Sequence, residues 1–237
     1  MIAAKEIPAF LETKALSENS KSNYTYDLKH FCTFMTSHGL TQSAIDLYRK
    51  QLSQFAPSAQ KRKVSAVNQF LRYLYQKEIL DDYFQLTAAD PIADNKGLPP
   101  LLDLSSFYGP IKSTGQFLAT LILETGLTPS EICALHWSDF NWRFNILEVT
   151  SANGKKRALG LQNKFAVRAK LIRNGDDLFS KTRQYIHVEL KKFTHYTARE
   201  LREQFILRQI KSGSDIYDLQ RMLGLSTIIT LERYFKK

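Results

Sequence analysis

Apolar side chains recur at helical spacing through the first third of the chain. Within "LSENSKSNYTYDLKHFCTFMTSHG", Tyr24, Leu28, Phe31 and Phe34 follow one another at steps of four, three and three, which draws a single apolar stripe along a helix. Ser17 stands where a side chain caps the start of that helix, and Gly39 stands where it ends. "LTQSAIDLYRKQLSQF" repeats the pattern with Ile45, Tyr48 and Leu52, and "PSAQKRKVSAVNQFLRYLYQKE" repeats it with Val64, Val67, Phe70, Leu71 and Leu74. From Pro8 to about Lys77 the chain therefore reads as four helices joined by short polar turns, with stripes suited to a small bundle.

"DPIADNKGLPPLL" interrupts the pattern with proline, glycine and polar residues. The organisation expected is a helical domain over residues 1–80, a linker over 81–100 and a second domain over 101–237. In the second domain "TGQFLATLILETG" has the apolar content of a buried helix. "ETGLTPSEICALHWSDF" follows, where Thr128 suits an N-cap, Pro129 suits the first helical position and Glu131 closes a capping box. The period then drops towards two. "NILEVTSANGKKRALGL" reads as two strands around Asn153-Gly154, a pair that favours a tight hairpin turn, with Lys155, Lys156 and Arg157 at or beside its tip. Helical patterns return over about 163–173, 181–193, 197–212, 214–223 and 226–234. The fold class expected is mainly α, with one small antiparallel β-hairpin.

Composition narrows the classes of function. Hydrophobic residues make up 43% of the chain and charged residues 24%, and no apolar run reaches the length of a membrane span. "MIAAKEIPAFLETKAL" carries an acid and a proline where an export signal needs an unbroken apolar stretch, so the cytoplasm is the expected location and no membrane partner is expected. Cys32 and Cys133 are far apart, outside the spacing of a disulfide framework or a zinc site. The net charge of +10 is unevenly spread. Residues 1–95 hold 11 Lys and Arg against 10 Asp and Glu, whereas residues 96–237 hold 22 against 13, which places the cationic surface in the second domain. Such a field attracts polyanions, nucleic acid first among them. In the first domain, Lys61, Arg62 and Lys63, with the short donors Ser58 and Gln60, make a candidate DNA-contacting face; a solvated charged face is the alternative.

Three segments of the second domain carry a resemblance. "TGLTPSEICALHWSDF", "TARELREQFILRQIKSGSDIYDLQRMLG" and "LGLSTIITLERY" resemble, in order and spacing, the boxes of tyrosine recombinases, whose usual forms are TGLRxSELxxLxWxDI, HxLRHxFAxxLxxxGxxxxxxQxxLG and LGHxxxxTTxxY. "LSENSKSNYTYDLKHFCTFM" and "SAQKRKVSAVNQFLRYLYQK" resemble the N-terminal SAM-like core-binding domain of the same phage integrase family, and the whole chain resembles its Xer type, the streptococcal XerD-like group in particular.

The resemblance implies that duplex DNA is the partner and that a tyrosine attacks a phosphodiester to give a 3′-phosphotyrosyl link. Arginines hold the phosphate, a hairpin lysine protonates the leaving 5′ oxygen, and neither metal nor cofactor is expected. By position Tyr234 is the nucleophile and Arg202 the second arginine. The first arginine falls on Thr128, the histidine of the second box on Arg199 and that of the third on Leu225, so Arg199 is a candidate replacement phosphate contact. An ungapped count puts Ala152 at the lysine position, while a shift within the hairpin brings Lys155 or Lys156 there; Lys155 is the lysine favoured, with Lys156 as a further phosphate contact. Only Phe235, Lys236 and Lys237 follow Tyr234, where this family usually continues into a tail that docks on a neighbouring subunit, so self-association on DNA is expected to be weak. Two readings stay open: a recombinase with several catalytic positions replaced, and a non-catalytic DNA-binding regulatory or architectural protein on the same scaffold.

Overall fold

A computed structural model describes residues 4–87, 97–151, 154–172 and 175–235. The chain packs as two units, Met1–Asn95 and Lys96–Lys237.

The first unit is built from α1 (Ile7–Glu12), α2 (Glu18–His38), α3 (Gln42–Leu52) and α4 (Pro57–Gln76). The stripes become its core: Leu28, Phe31, Ile45, Tyr48, Val67, Phe70, Leu71 and Leu74 are all fully buried, together with Phe10 of α1. Ser17 Oγ accepts from the Ser20 amide at 3.3 Å and Thr41 Oγ1 from that of Ala44 at 3.2 Å, so α2 and α3 start on side-chain caps. Gly39 closes α2, its amide bonded to the Met35 carbonyl. Leu86, assigned to the linker by composition, instead packs in this core; the Asn68 amide holds its N–H at 2.7 Å and its C=O at 2.8 Å. Most of the expected linker that remains, residues 88–96, lies outside the described residues.

Lys63 does not lie on the expected DNA-contacting face. It belongs to the interior, with 1% of its side chain exposed, and its ammonium lies 3.0 Å from Asp27 Oδ1 and over the Phe55 ring. Asp27 is itself fully buried and also receives Arg62 at 2.7 and 3.2 Å. One carboxylate on α2 thus anchors two consecutive cations of α4. The reason is helical register: Lys63 is four residues before Val67 and seven before Phe70, on the buried face of α4, and burial of its charge requires the acid.

The second unit centres on α5 (Thr114–Thr125), whose residues from Gly115 to Thr125 are all buried. α6 (Pro129–Ile132) is a single turn after it, and β1 (Phe140–Asn141), β2 (Ile146–Thr150) and β3 (Lys156–Gly160) form an antiparallel sheet in the order β1-β2-β3. The pairing of β2 with β3 aligns Val149 with Arg157 and Thr150 with Lys156, and the Ser151 amide reaches the Lys155 carbonyl at 2.8 Å. Of the expected turn pair, Gly154 has φ +78°, and Asn153 lies outside the described residues. The helices α7 (Asn163–Ala169), α8 (Gly175–Phe179), α9 (Arg183–Phe193), α10 (Ala198–Lys211), α11 (Ile216–Leu223) and α12 (Ile229–Phe235) complete the unit. α9 and α10 pack against α5, and a separate small cluster of Phe205, Ile206, Leu219, Leu223 and Leu231 ties α10, α11 and α12 together. β1 and α8 were not expected, being two and five residues long and too short to show a period.

Candidate active site

Thr197 caps α10, and the Glu200 carboxylate accepts from its amide at 2.7 Å, a complete capping box. Burial of Leu201, Gln204 and Phe205 then fixes the rotation of α10 and turns Arg199, Arg202 and Glu203 towards a cavity. That cavity, of about 420 Å³, is closed by Leu225, Arg233 and Tyr234 from the end of the chain. Four positions expected from two sequence boxes, Arg199 and Arg202 from the second and Leu225 and Tyr234 from the third, are thereby brought together.

Arg202 is 17% exposed, and its Nη1 donates to the Gly126 carbonyl and lies 3.8 Å from Glu131 Oε2. Gly126 ends α5 with φ +64°, and a Cβ there would stand 2.5 Å from the Phe205 ring. Only glycine allows the turn to present its carbonyl this close to α10. Burial pulls the guanidinium pKa down, Glu131 opposes that, and the group stays charged at neutral pH. Among the described residues only Nη1 of Arg202 is hydrogen-bonded, so Nε and Nη2 remain as donors.

Glu131 joins three elements. Its Oε2 accepts from the Thr128 amide at 2.9 Å and the Thr128 hydroxyl at 2.8 Å, while its Oε1 takes Arg157 Nη2 at 2.6 Å. The capping box is therefore present, although α6 ends within one turn; His136 and Asp139 form a separate cap further on. Burial raises the Glu131 pKa, but the bonds from Thr128 and Arg157 outweigh it and the net direction is down.

Sequence reading placed Arg157 at the hairpin without a role. It is 11% exposed, and its remaining donors reach the Met222 carbonyl and Ser151 Oγ, both at 2.9 Å. Gly224 keeps that space open: a Cβ there would stand 2.6 Å from Arg157 Nη1. The signal available was strand parity, since Arg157 shares the inward face of β3 with buried Leu159.

Tyr234 is half-buried, and its hydroxyl donates to Glu203 Oε1 at 2.8 Å. Arg233 donates to both the same carboxylate oxygen and the phenol oxygen, and its guanidinium lies 4.6 Å from the ring centre. Burial pushes the phenol pKa up, with Arg233 pulling it down and Glu203 raising it. Leu225 packs with Tyr234 on the small apolar cluster and offers no donor. The exposed lysines Lys155 and Lys156 do not line the Tyr234 cavity; they line an adjoining one of about 410 Å³ with Arg221, Ser226 and Leu225.

In the first unit Ser58 and Lys61 are exposed, Gln60 is committed to the Phe55 carbonyl at 2.7 Å, and Arg62 is half-buried on Asp27. A polar concavity missed by sequence reading holds Lys14, Arg72 and Lys77. Among the described residues no cluster of three or more His, Cys, Asp or Glu stands ready for a metal ion, and no helix is long and apolar enough to cross a membrane.

Residues 9–78 match the family described as "Phage integrase, N-terminal SAM-like domain". A "Tyrosine recombinase XerD-like" protein of Lactococcus lactis subsp. cremoris (strain SK11) is 44% identical over 234 residues, spanning 98% of each chain. Its namesake from Streptococcus thermophilus (strain CNRZ 1066) is 39% identical over 243 residues, spanning 98% of this chain and 95% of that one. Among solved structures, a lambda integrase dimer bound to a COC′ core site superposes with a TM-score of 0.75 at 16% identity, over 98% of this chain and 76% of that one. The Tn1549 transposon integrase in complex with transposon right end DNA does so with a TM-score of 0.74 at 14% identity, over 99% and 95%.

Proposed function

The chain belongs to the XerD-like tyrosine recombinases, and from that premise we propose that it binds duplex DNA and joins Tyr234 covalently to a strand, slowly, through a reduced set of catalytic groups. The observation that carries the reading is the shared cavity of Arg199, Arg202 and Tyr234. A phosphodiester seated there meets the donors of Arg202 and the exposed Arg199, which stabilise charge as the phosphorane forms. The phenol oxygen attacks phosphorus, the bond to the 5′ oxygen breaks, and the strand remains as a 3′-phosphotyrosyl ester. Lys155, on the hairpin side, is assigned as proton donor to the leaving oxygen, with Lys156 as a phosphate contact.

Slow chemistry follows from two side chains. Thr128 stands at the first-arginine position and spends its hydroxyl on Glu131, and Leu225 stands at a histidine position and packs on apolar neighbours. Loss of one preorganised donor typically costs about 10²–10³ in rate, and losses within one site do not add. DNA affinity is assigned to the cationic second unit, aided by Ser58, Lys61 and the outer face of Arg62. Weak self-association on DNA and a cytoplasmic location belong to the same proposal.

The commitment of Thr128 to a cap favours a second reading, a DNA-binding regulatory or architectural protein that does not cut. A nicked suicide duplex separates them. The recombinase reading expects a faint covalent adduct, lost in Tyr234→Phe and strengthened by Thr128→Arg with Leu225→His; absence of adduct from that restored variant, with DNA still bound, leaves the second reading.

A further inference from the structure

Attack by a phenol requires a group that takes its proton. The usual second box has histidine directly after its arginine, and here that position is Glu203. Its side chain is 16% exposed, lines the cavity of Arg202 and Tyr234, and its Oε1 accepts the Tyr234 hydroxyl at 2.8 Å. From this geometry we infer that Glu203 is the general base of strand cleavage, a catalytic residue in contact with the attacking oxygen. The inference rests on the proposed role of Tyr234 as nucleophile.

The surroundings suit that task. The groups of charge facing Glu203 are Arg199 and Arg202 of its own helix and Arg233 of α12, so a carboxylate is tolerated beside the incoming phosphate. Arg233 donates to the phenol oxygen as well as to Glu203, which places a cation against the phenolate as it forms. In the step, the phenol proton passes to Glu203 Oε1 as the phenol oxygen bonds to phosphorus. The electron pair of the breaking bond leaves with the 5′ oxygen, which takes a proton from the hairpin side. Glu203 ends as a neutral acid and returns its proton when the ester is resealed.

The test is single-turnover adduct formation by the full chain on a duplex with a 5′-bridging phosphorothiolate, whose thiolate leaves without a proton and so isolates the base. Wild-type protein is expected to form adduct with a rate that falls towards acid pH, since a base must be unprotonated to take the phenol proton. Glu203→Gln should be about 10²–10⁴-fold slower with no such acid limb, although it binds DNA no more weakly than wild type. Glu203→Asp, which keeps a carboxylate, should recover part of the rate and the limb, and Arg233→Met, which keeps Glu203 but not its ion pair, should retain the limb. A Glu203→Gln rate within about threefold of wild type, or an Asp variant no faster than the Gln variant, overturns the base assignment and leaves Tyr234 as nucleophile. Absence of adduct from wild type that still binds the duplex overturns the recombinase reading, and the base falls with it.

Discussion

Asp27→Asn removes a charge from the middle of the first unit while barely changing side-chain volume. Arg62 is 39% exposed and can turn to water, but Lys63, 1% exposed and 3.0 Å from Asp27, cannot follow without α4 lifting from the core. The variant therefore leaves an unpaired ammonium in apolar surroundings. Breaking a buried ion pair from one side costs about 3–5 kcal/mol, against a total stability of about 5–15 kcal/mol for a domain. At about 4–8 °C per kcal/mol for a unit of this size, the melting point of the first unit should fall by roughly 10–40 °C. The assay is calorimetry of the full chain with hydrogen exchange followed on α2 and α4, so that loss of protection is assigned to those helices. Asp27→Leu combined with Lys63→Met removes both charges and should recover most or all of the stability, since a buried pair replaced by apolar side chains is often neutral or better. A single variant within about 1 kcal/mol of wild type, or a double variant no more stable than the single one, would refute the view that Lys63 is held inside by Asp27.

The remaining expectations concern the second unit and its ligand. Thr128→Ala should cost about 0.5–2 kcal/mol in urea denaturation, through loss of the α6 cap and a bond to Glu131; an unchanged midpoint contradicts the capping account. Because the folded-state pKa of Glu131 is depressed, its contribution to stability is complete above the unfolded-state pKa of a glutamate and is lost as pH falls through the lower folded value. Glu131→Gln should thus flatten the acid side of the stability profile, and an identical acid slope in the two proteins counts against the network. DNA affinity should fall steeply with salt, and Lys61→Gln should weaken it more than Lys63→Met does in a chain that remains folded; equal effects would return Lys63 to the surface.

The helices of the first unit were legible because their apolar residues repeat with the helical period, and the caps at Ser17 and Thr128 because capping is local chemistry. Lys63 was misread because a run of Lys-Arg-Lys resembles a solvated face, although its spacing to Val67 and Phe70 marks the buried one. Its partner is 36 residues away on another helix, and no periodicity announces such pairings. The same holds for the candidate site. Arg199, Arg202 and Tyr234 could be placed by resemblance, but Glu203 and Arg233 gained meaning only when α10 and α12 came together, 31 residues apart at the Tyr234–Glu203 bond. Arg157 likewise depends on strand parity and on the approach of Gly224, which are properties of packing.

The central claim is that Tyr234, its hydroxyl held by Glu203 and Arg233 in a cavity shared with Arg202, forms a covalent bond to DNA. Its most direct test is mass spectrometry of the protein after incubation with phosphorothiolate duplexes of randomised sequence, followed by nuclease and protease digestion. The account predicts a nucleotide remnant, phosphate included, on the peptide that contains Tyr234, at low yield in wild type and at none in Tyr234→Phe. A remnant on any other residue, or none from a protein that demonstrably binds the duplexes, would contradict it.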